Sequence, residues 1–394
     1  MFPAGQTSPA AQGVWADIVG QKPTVDMLSR LAAGDPRQLA QSWLICGPPG
    51  SGRSNMARAF AAALESPDHG MGDEPTKVTR QVLAGTHPDV SVLATDKVTI
   101  GIDEVRELIG VSEQMPSTAP WRIIIIEDVD RMLERTTNVL LKEIEEPAEH
   151  CIWLLCAPSA QDVLPTIRSR TRIVNLAVPG AEAVAKYLEE SVGAEPKIAR
   201  RAARLSEGHI GIAKLYATDE RVMTDRDELI VGVLGLRKAS QAVLLAGSLN
   251  ANAKAQAEVD AARQVAREEA NFRRVNGLGA DDRIPSKLRG AYNAISKKDE
   301  VKRRATRRSR DVLDRALNSI ASIYRDVAVI QNGAEGSVGL INLENRTAIT
   351  ELASRMPRAA AVARLDEVAV ARRRLMGNGN PVLVFEALFC ALMF

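Results

Sequence analysis

The 394-residue sequence predicts an α/β domain, a parallel sheet with helices on both faces, then a small helical lid and a C-terminal all-α bundle. The grounds lie in the patterning. From residue 43 to 176 short apolar runs alternate with helical periodicities, as in a parallel sheet wrapped by its crossovers. One of those runs, Ile123-Ile124-Ile125-Ile126, lacks any polar alternation, so it is buried on both faces. Beyond residue 180 the sequence turns helical, and from 223 onward Ala, Leu, Glu and Arg dominate, the composition of a helix bundle. The expected divisions are 1–179, 180–222 and 223–394, with a basic, charged helical insertion around 250–310.

In chain order, residues 14–33 lead from Val14-Trp15 into a helix with Val25, Leu28 and Leu31 on one face. Ser42 to Cys46 is a short strand running into Gly47-Pro48-Pro49-Gly50-Ser51-Gly52-Arg53-Ser54, and Met56 to Leu64 continues as helix. Strand, glycine loop and helix are the context a phosphate-binding loop requires, because glycines let backbone N–H groups turn inward at a helix amino terminus. Residues 66–76 form a loop, 78–83 a short helix, and Gly85-Thr86-His87-Pro88-Asp89 a turn before the strand Val90 to Leu93. After a turn near Asp96, a helix over 102–114 carries Val105, Leu108 and Ile109 inward and is capped by Asp103 or a near neighbour. The central strand 122–126 ends on Glu127-Asp128. A helix follows with Met132, Leu133, Leu140, Leu141 and Ile144 at helical spacing, and Pro147 stops it. The strand 152–157 comes next, then Leu164-Pro165-Thr166-Ile167-Arg168-Ser169-Arg170-Thr171 and a last apolar run, 173–176.

Three lid helices are expected around Val184 to Leu188, Ile198 to Leu205 and Gly211 to Tyr216. In the tail, residues 271–286 break the helix with Gly277, Gly279 and Pro285. The strongly basic stretch 297–310 leads into Val312, Leu313, Ala316, Leu317, Ile320, Ile323 and Val327 at period 3.6. That run is either a solvated helix face or a contact with a duplex or partner. The apolar segment from Val382 is the last helix of the bundle core.

Composition excludes several classes. The formal charge is only +2, from 51 basic and 49 acidic residues, so any nucleic-acid or membrane surface must be local. No basic segment followed by an apolar core opens the chain, and the longest apolar stretch is too short for a bilayer, so the cytoplasm is the expected compartment. Cys46, Cys151, Cys156 and Cys390 lack CxxC spacing, and Cys151 and Cys156 point to opposite faces of one strand, which reads as buried reduced thiols. Four scattered histidines give no hydrolase triad.

The chemistry of the loop is altered. Arg53 stands where a phosphate loop has lysine, and its planar fork does not fit the slot of a compact ammonium. An ATPase of this layout needs an Asp for the magnesium shell and then a Glu to polarise water, whereas here Glu127 precedes Asp128. A base one methylene short stands about an ångström away, enough to cost on the order of a hundredfold. No Thr, Ser or Asn precedes Ser159 as a γ-phosphate sensor. The loop is either a nucleotide site or a tight turn without turnover; hydrolysis is not expected. Arg170 reads two ways on chemistry alone, as a finger acting on a neighbour's nucleotide or as one arm of a surface ion pair.

Val19-Gly20-Gln21, residues 47–54, His87-Pro88-Asp89, Leu140-Leu141-Lys142-Glu143-Ile144-Glu145-Glu146-Pro147 and Pro165-Thr166-Ile167-Arg168-Ser169-Arg170 together resemble the bacterial clamp-loader AAA+ subunits over residues 14–220. The resemblance implies a P-loop AAA+ core, a lid and a helical collar. It implies that Ser169-Arg170 is the family's SRC motif, with Thr171 in place of its Cys, and that the arginine reaches a neighbouring ATPase subunit. Gly20 and Gln21 would lie beside the adenine, and Gly47, Gly50, Gly52, Arg53 and Ser54 would form a degenerate phosphate loop next to Glu127 and Asp128. No Cys lies between Cys46 and Cys151, so the family's zinc module has no counterpart and no metal is expected. The lid's sensor arginine is also lacking, with Gly211 near its place. These losses resemble the non-motor member of the ring more than the gamma or tau motors. The implied role is an accessory subunit of a DNA-directed DNA polymerase (nucleotidyltransferase) holoenzyme that needs no cofactor of its own. Its implied partners are gamma/tau and delta, the sliding clamp and, through the complex, primer–template DNA. The rival readings are an active AAA+ ATPase, either loader motor or Holliday-junction-helicase-like remodeller, and a DNA-binding adaptor using residues 297–310.

Overall fold

A computed structural model describes residues 13–72, 74–95, 99–279 and 281–393. Residues 1–12, the turn expected near Asp96 and Phe394 lie outside the described residues. The chain divides into two units, one up to Asp219 and one from Glu220.

The first unit is built on five parallel strands, β1 (Ser42–Cys46), β2 (Val90–Leu93), β3 (Arg122–Ile126), β4 (Cys151–Ala157) and β5 (Arg172–Asn175), in the order β2-β3-β4-β1-β5. The helices between them are α1 (Lys22–Ala32), α2 (Arg53–Glu65), α3 (Lys77–Leu83), α4 (Ile102–Ser112), α5 (Glu134–Glu145) and α6 (Pro165–Arg168). Alternate strand residues face opposite ways. Ile123, Ile125, Ile152 and Leu154 meet α1, α2 and α3 in one core, whereas Ile124, Ile126, Trp153 and Leu155 meet α4, α5 and Ile167 in the other. This explains the unbroken isoleucine run: neither face of β3 is wet, and each buried isoleucine contributes about 2 kcal/mol. Cys151 and Cys156 fall in different cores, on opposite faces as expected.

Asp89, at the end of the turn before β2, is fully buried. Its carboxylate accepts hydrogen bonds from the backbone and hydroxyl groups of Ser117 and Thr118 and lies 3.2 Å from Arg122 Nη1. Burial alone would raise its pKa, but those donors hold it far below the usual carboxylate range. Three lid helices follow, α7 (Ala181–Val192), α8 (Pro196–Leu205) and α9 (Ile210–Thr218). Gly193 closes α7 in the left-handed region at φ +71°.

The second unit is all helical: α10 (Glu220–Leu234), α11 (Ala239–Val275), α12 (Arg289–Ile295), α13 (Lys298–Gln331), α14 (Glu335–Val338), α15 (Arg346–Arg355), α16 (Arg358–Met376) and α17 (Pro381–Leu392). Leu313, Leu317, Ile320, Ile323 and Val327 of α13 pack against Phe385 and Phe389 of α17, and the small residues Ala242, Ala246 and Ala253 let α11 approach. The expected fold class, a parallel sheet with helices on both faces followed by a short helical segment and an all-α C-terminal region, is the one observed. α4 is entered at Gly101, the near neighbour of Asp103 that the expectation allowed, and its N–H donates to Glu104 Oε2 at 2.7 Å. Two local expectations are corrected. α2 begins at Arg53, ahead of Met56, because Gly52 provides the left-handed N-cap. Met132 and Leu133 precede α5 on the exit of a short 3-10 turn, leaving Leu133 exposed.

Candidate functional site

The glycine loop leaves β1 and turns at Gly50 and Gly52, whose φ of +84° and +90° a side chain would strain. Gly47 N–H donates to the Ala157 carbonyl at 3.2 Å, tying the loop to β4. The amino end of α2 therefore faces the loop, with Arg53 as its first residue.

Arg53 turns back on its own surroundings. Nη1 donates to the Gly47 carbonyl at 2.7 Å and Nη2 to Asp128 Oδ1 at 3.3 Å. Asp128, at the left-handed φ of +55°, also lies 3.0 Å from Arg131 Nη2. Glu127 Oε1 lies 2.8 Å from Arg58 Nη2 of α2. Both members of the reversed acidic pair are thus held by arginines of this chain, and the charge at the lysine position is neutralised within the loop. Arg53 is thus engaged by Asp128, and Glu127 by Arg58, all within this chain.

The lid closes on the same loop. Ile210 N–H donates to the Gly50 carbonyl at 3.1 Å, and a Cβ on Gly50 would stand 2.1 Å from Cγ of His209. The imidazole lies flush against the turn, oriented by the Ile212 N–H donating to Nδ1 at 3.2 Å. On the expected adenine side, Gln21 is buried and bound at both ends to one residue. Nε2 donates to the Ala177 carbonyl at 2.6 Å, and Oε1 accepts from its N–H at 3.1 Å. Gly20, at φ +72°, packs against Pro179, where a Cβ would come within 3.1 Å. These two residues bind the entrance of α1 to the strand-to-lid connection. Ser54 lies in the first turn of α2 beside Arg53.

Arg170 stands apart from this centre. Ser169 ends α6, and Arg170 reaches back with Nη1 donating to the Thr166 carbonyl at 3.0 Å and to Ser169 Oγ at 3.2 Å. Its Nε donates to Glu145 Oε1 of α5. None of these partners belongs to the glycine loop, and the guanidinium sits at the surface, a third exposed. Ser159, two residues past the end of β4, donates its hydroxyl to Asp162 Oδ2 at 2.8 Å. Burial pushes the Cys151 and Cys156 thiols up to about 12 and raises Cys46, so these are inert packing groups.

Sequence reasoning found the loop, the acidic pair and the Ser-Arg step. It missed Arg131, whose three-residue spacing from Asp128 was an available signal, and Arg58, His209 and Glu145, which lie far along the chain from the groups they meet.

Residues 20–179 match the family described as DNA polymerase III, delta subunit. Subunit delta' of DNA polymerase III from Pseudomonas aeruginosa is 30% identical over 209 residues, covering 52% of this chain and 64% of that protein. Subunit tau from Bacillus subtilis is 28% identical over 181 residues, covering 45% of this chain and 32% of that protein. The chain thus spans less than two thirds of the length of either relative. A DNA polymerase III gamma-subunit-related protein from Thermotoga maritima, a solved structure, superposes with a TM-score of 0.42 at 19% identity, covering 93% of this chain and 97% of that one.

Proposed function

We propose that this chain acts as a delta-prime-type clamp-loader subunit, a fixed, non-motor position in the loader ring that leaves ATP turnover to its neighbours; the match of residues 20–179 to the DNA polymerase III delta-subunit family and the 30% identity to a delta' subunit support this reading. The observation that carries this reading is the closed circuit of Arg53, Gly47 and Asp128. A motor subunit holds its phosphate-loop cation and acidic pair open for nucleotide and magnesium; here arginines occupy both. The exposed Ser169-Arg170 step supports a contribution in trans: the guanidinium would exchange its surface bonds to Glu145, Thr166 and Ser169 for a phosphate presented by an adjoining subunit. On this reading the partners are gamma/tau and delta, and the ring acts on the sliding clamp and primer–template DNA. The purified chain, assayed alone with magnesium and ATP, is expected to show no turnover above the buffer. Robust hydrolysis that is abolished by Arg53→Ala contradicts the proposal and favours a motor subunit.

A further inference from the structure

Charge is unevenly distributed along the chain. Residues 254–310 hold sixteen basic and eight acidic side chains, leaving thirty-five basic against forty-one acidic in the rest. This stretch is the outer part of a helical hairpin. The core of the second unit ends at Ala253 on α11 and resumes at Val312 and Leu313 on α13, so the 22 residues from Lys254 to Val275 run beyond it, about 33 Å of helix.

The hairpin is held by its own polar contacts. Arg304 Nη1 donates to Glu268 Oε2 at 2.8 Å, Arg308 donates to Gln264, and Ala257 and Ala261 are buried between the helices. At the tip the rings of Phe272 and Tyr292 meet at 5.6 Å, with Arg273 at 5.4 Å over the tyrosine ring. The inward arginines are therefore structural, and a different set points outward. Lys298, Lys302, Arg303 and Arg310 are exposed along α13, and Arg263, Arg267 and Arg274 are exposed along α11 at helical spacing. Among the described residues α13 exposes no large apolar side chain, and the outer part of α11 exposes two isolated valines, Val259 and Val275.

We propose that this hairpin is a sequence-independent binding surface for the phosphate backbone of duplex DNA. A surface with this excess of positive charge binds a polyanion through counterion release, and a duplex carries about one charge per 1.7 Å. The 12-residue span from Lys298 to Arg310 covers about 18 Å, the length of about ten phosphates. The proposal does not depend on the delta-prime reading, since it concerns the isolated chain and a part of the second unit.

The test is fluorescence anisotropy of the full chain with a labelled 30-base-pair duplex between 50 and 200 mM salt. Wild type is expected to bind with a log–log salt slope of several units. Lys298→Glu with Lys302→Glu and Arg303→Glu is expected to weaken binding at least tenfold and to lower the slope by about one for each phosphate no longer neutralised, at an unchanged helical spectrum. Reversal of three exposed lysines elsewhere, Lys186, Lys197 and Lys214, changes net charge equally and is expected to leave affinity within about twofold. Equal losses in both triple variants, no salt dependence, tighter binding of a single strand of the same length, or capture of an acidic peptide in place of the duplex would each overturn the proposal. Should the glutamate triple unfold the hairpin, the glutamine triple at the same positions supplies the comparison.

Discussion

Arg53 shows how one substitution redirects a site. A lysine there ends in a compact charge that can only point forward, whereas the guanidinium has donors enough to bond Gly47 and Asp128 at once. Arg170 has the opposite disposition: its bond to Glu145 lies at the surface, where such a pair is worth about 0–1 kcal/mol and yields readily to a better anion. Glu65 presents a third case. It is buried at the end of α2 with one oxygen facing only the Trp121 N–H at 3.4 Å, and burial pushes its pKa up to about 8. Because the folded value lies above the unfolded one for an acid, the native state favours the neutral form, and stability falls as pH rises from about 4.5 toward 8. Glu65→Gln is therefore expected to flatten the dependence of Tm on pH between 5 and 8, measured by thermal melts; a slope equal to wild type would show that this carboxyl is not the source.

At the level of elements, the sheet was legible because burial on both faces leaves runs such as 123–126 and 151–157 with no polar residue to interrupt them. The start of α5 was not, since Met132 and Leu133 continue the apolar spacing while belonging to the turn before it. Nor was the packing of α11, whose alanines approach α13 without the bulk that marks a core stripe. Half of the site was equally hidden. Gly47 to Ser54 announce themselves locally, but Arg53 meets Asp128 75 residues on, and His209 meets Gly50 only because the lid folds back. His87-Pro88-Asp89, noticed as a motif, is a structural clasp: Asp89 fixes the 117–118 backbone to the start of β3. Removing it leaves Arg122 buried without its counterion, so Asp89→Ala is expected to cost about 3–5 kcal/mol by urea denaturation. A loss under about 1 kcal/mol would contradict that role.

Over the whole molecule, the two units carry different kinds of information. The first is a five-stranded parallel sheet with its crossover helices and three further helices, and at its glycine loop Arg53 and Arg58 pair with Asp128 and Glu127. The second is a helical bundle whose outer hairpin concentrates positive charge. Among the described residues no helix is long and apolar enough to cross a membrane. These features join in one proposed scheme, in which the chain is a structural member of a ring that supplies Arg170 to a nucleotide bound elsewhere. The most direct measurement is the steady-state ATPase rate of a loader ring reconstituted with gamma/tau and delta, comparing wild type with Arg170→Ala. The expected result is intact assembly with a rate lower by about a thousandfold at the affected interface. An assembled ring turning over ATP at the wild-type rate would contradict it.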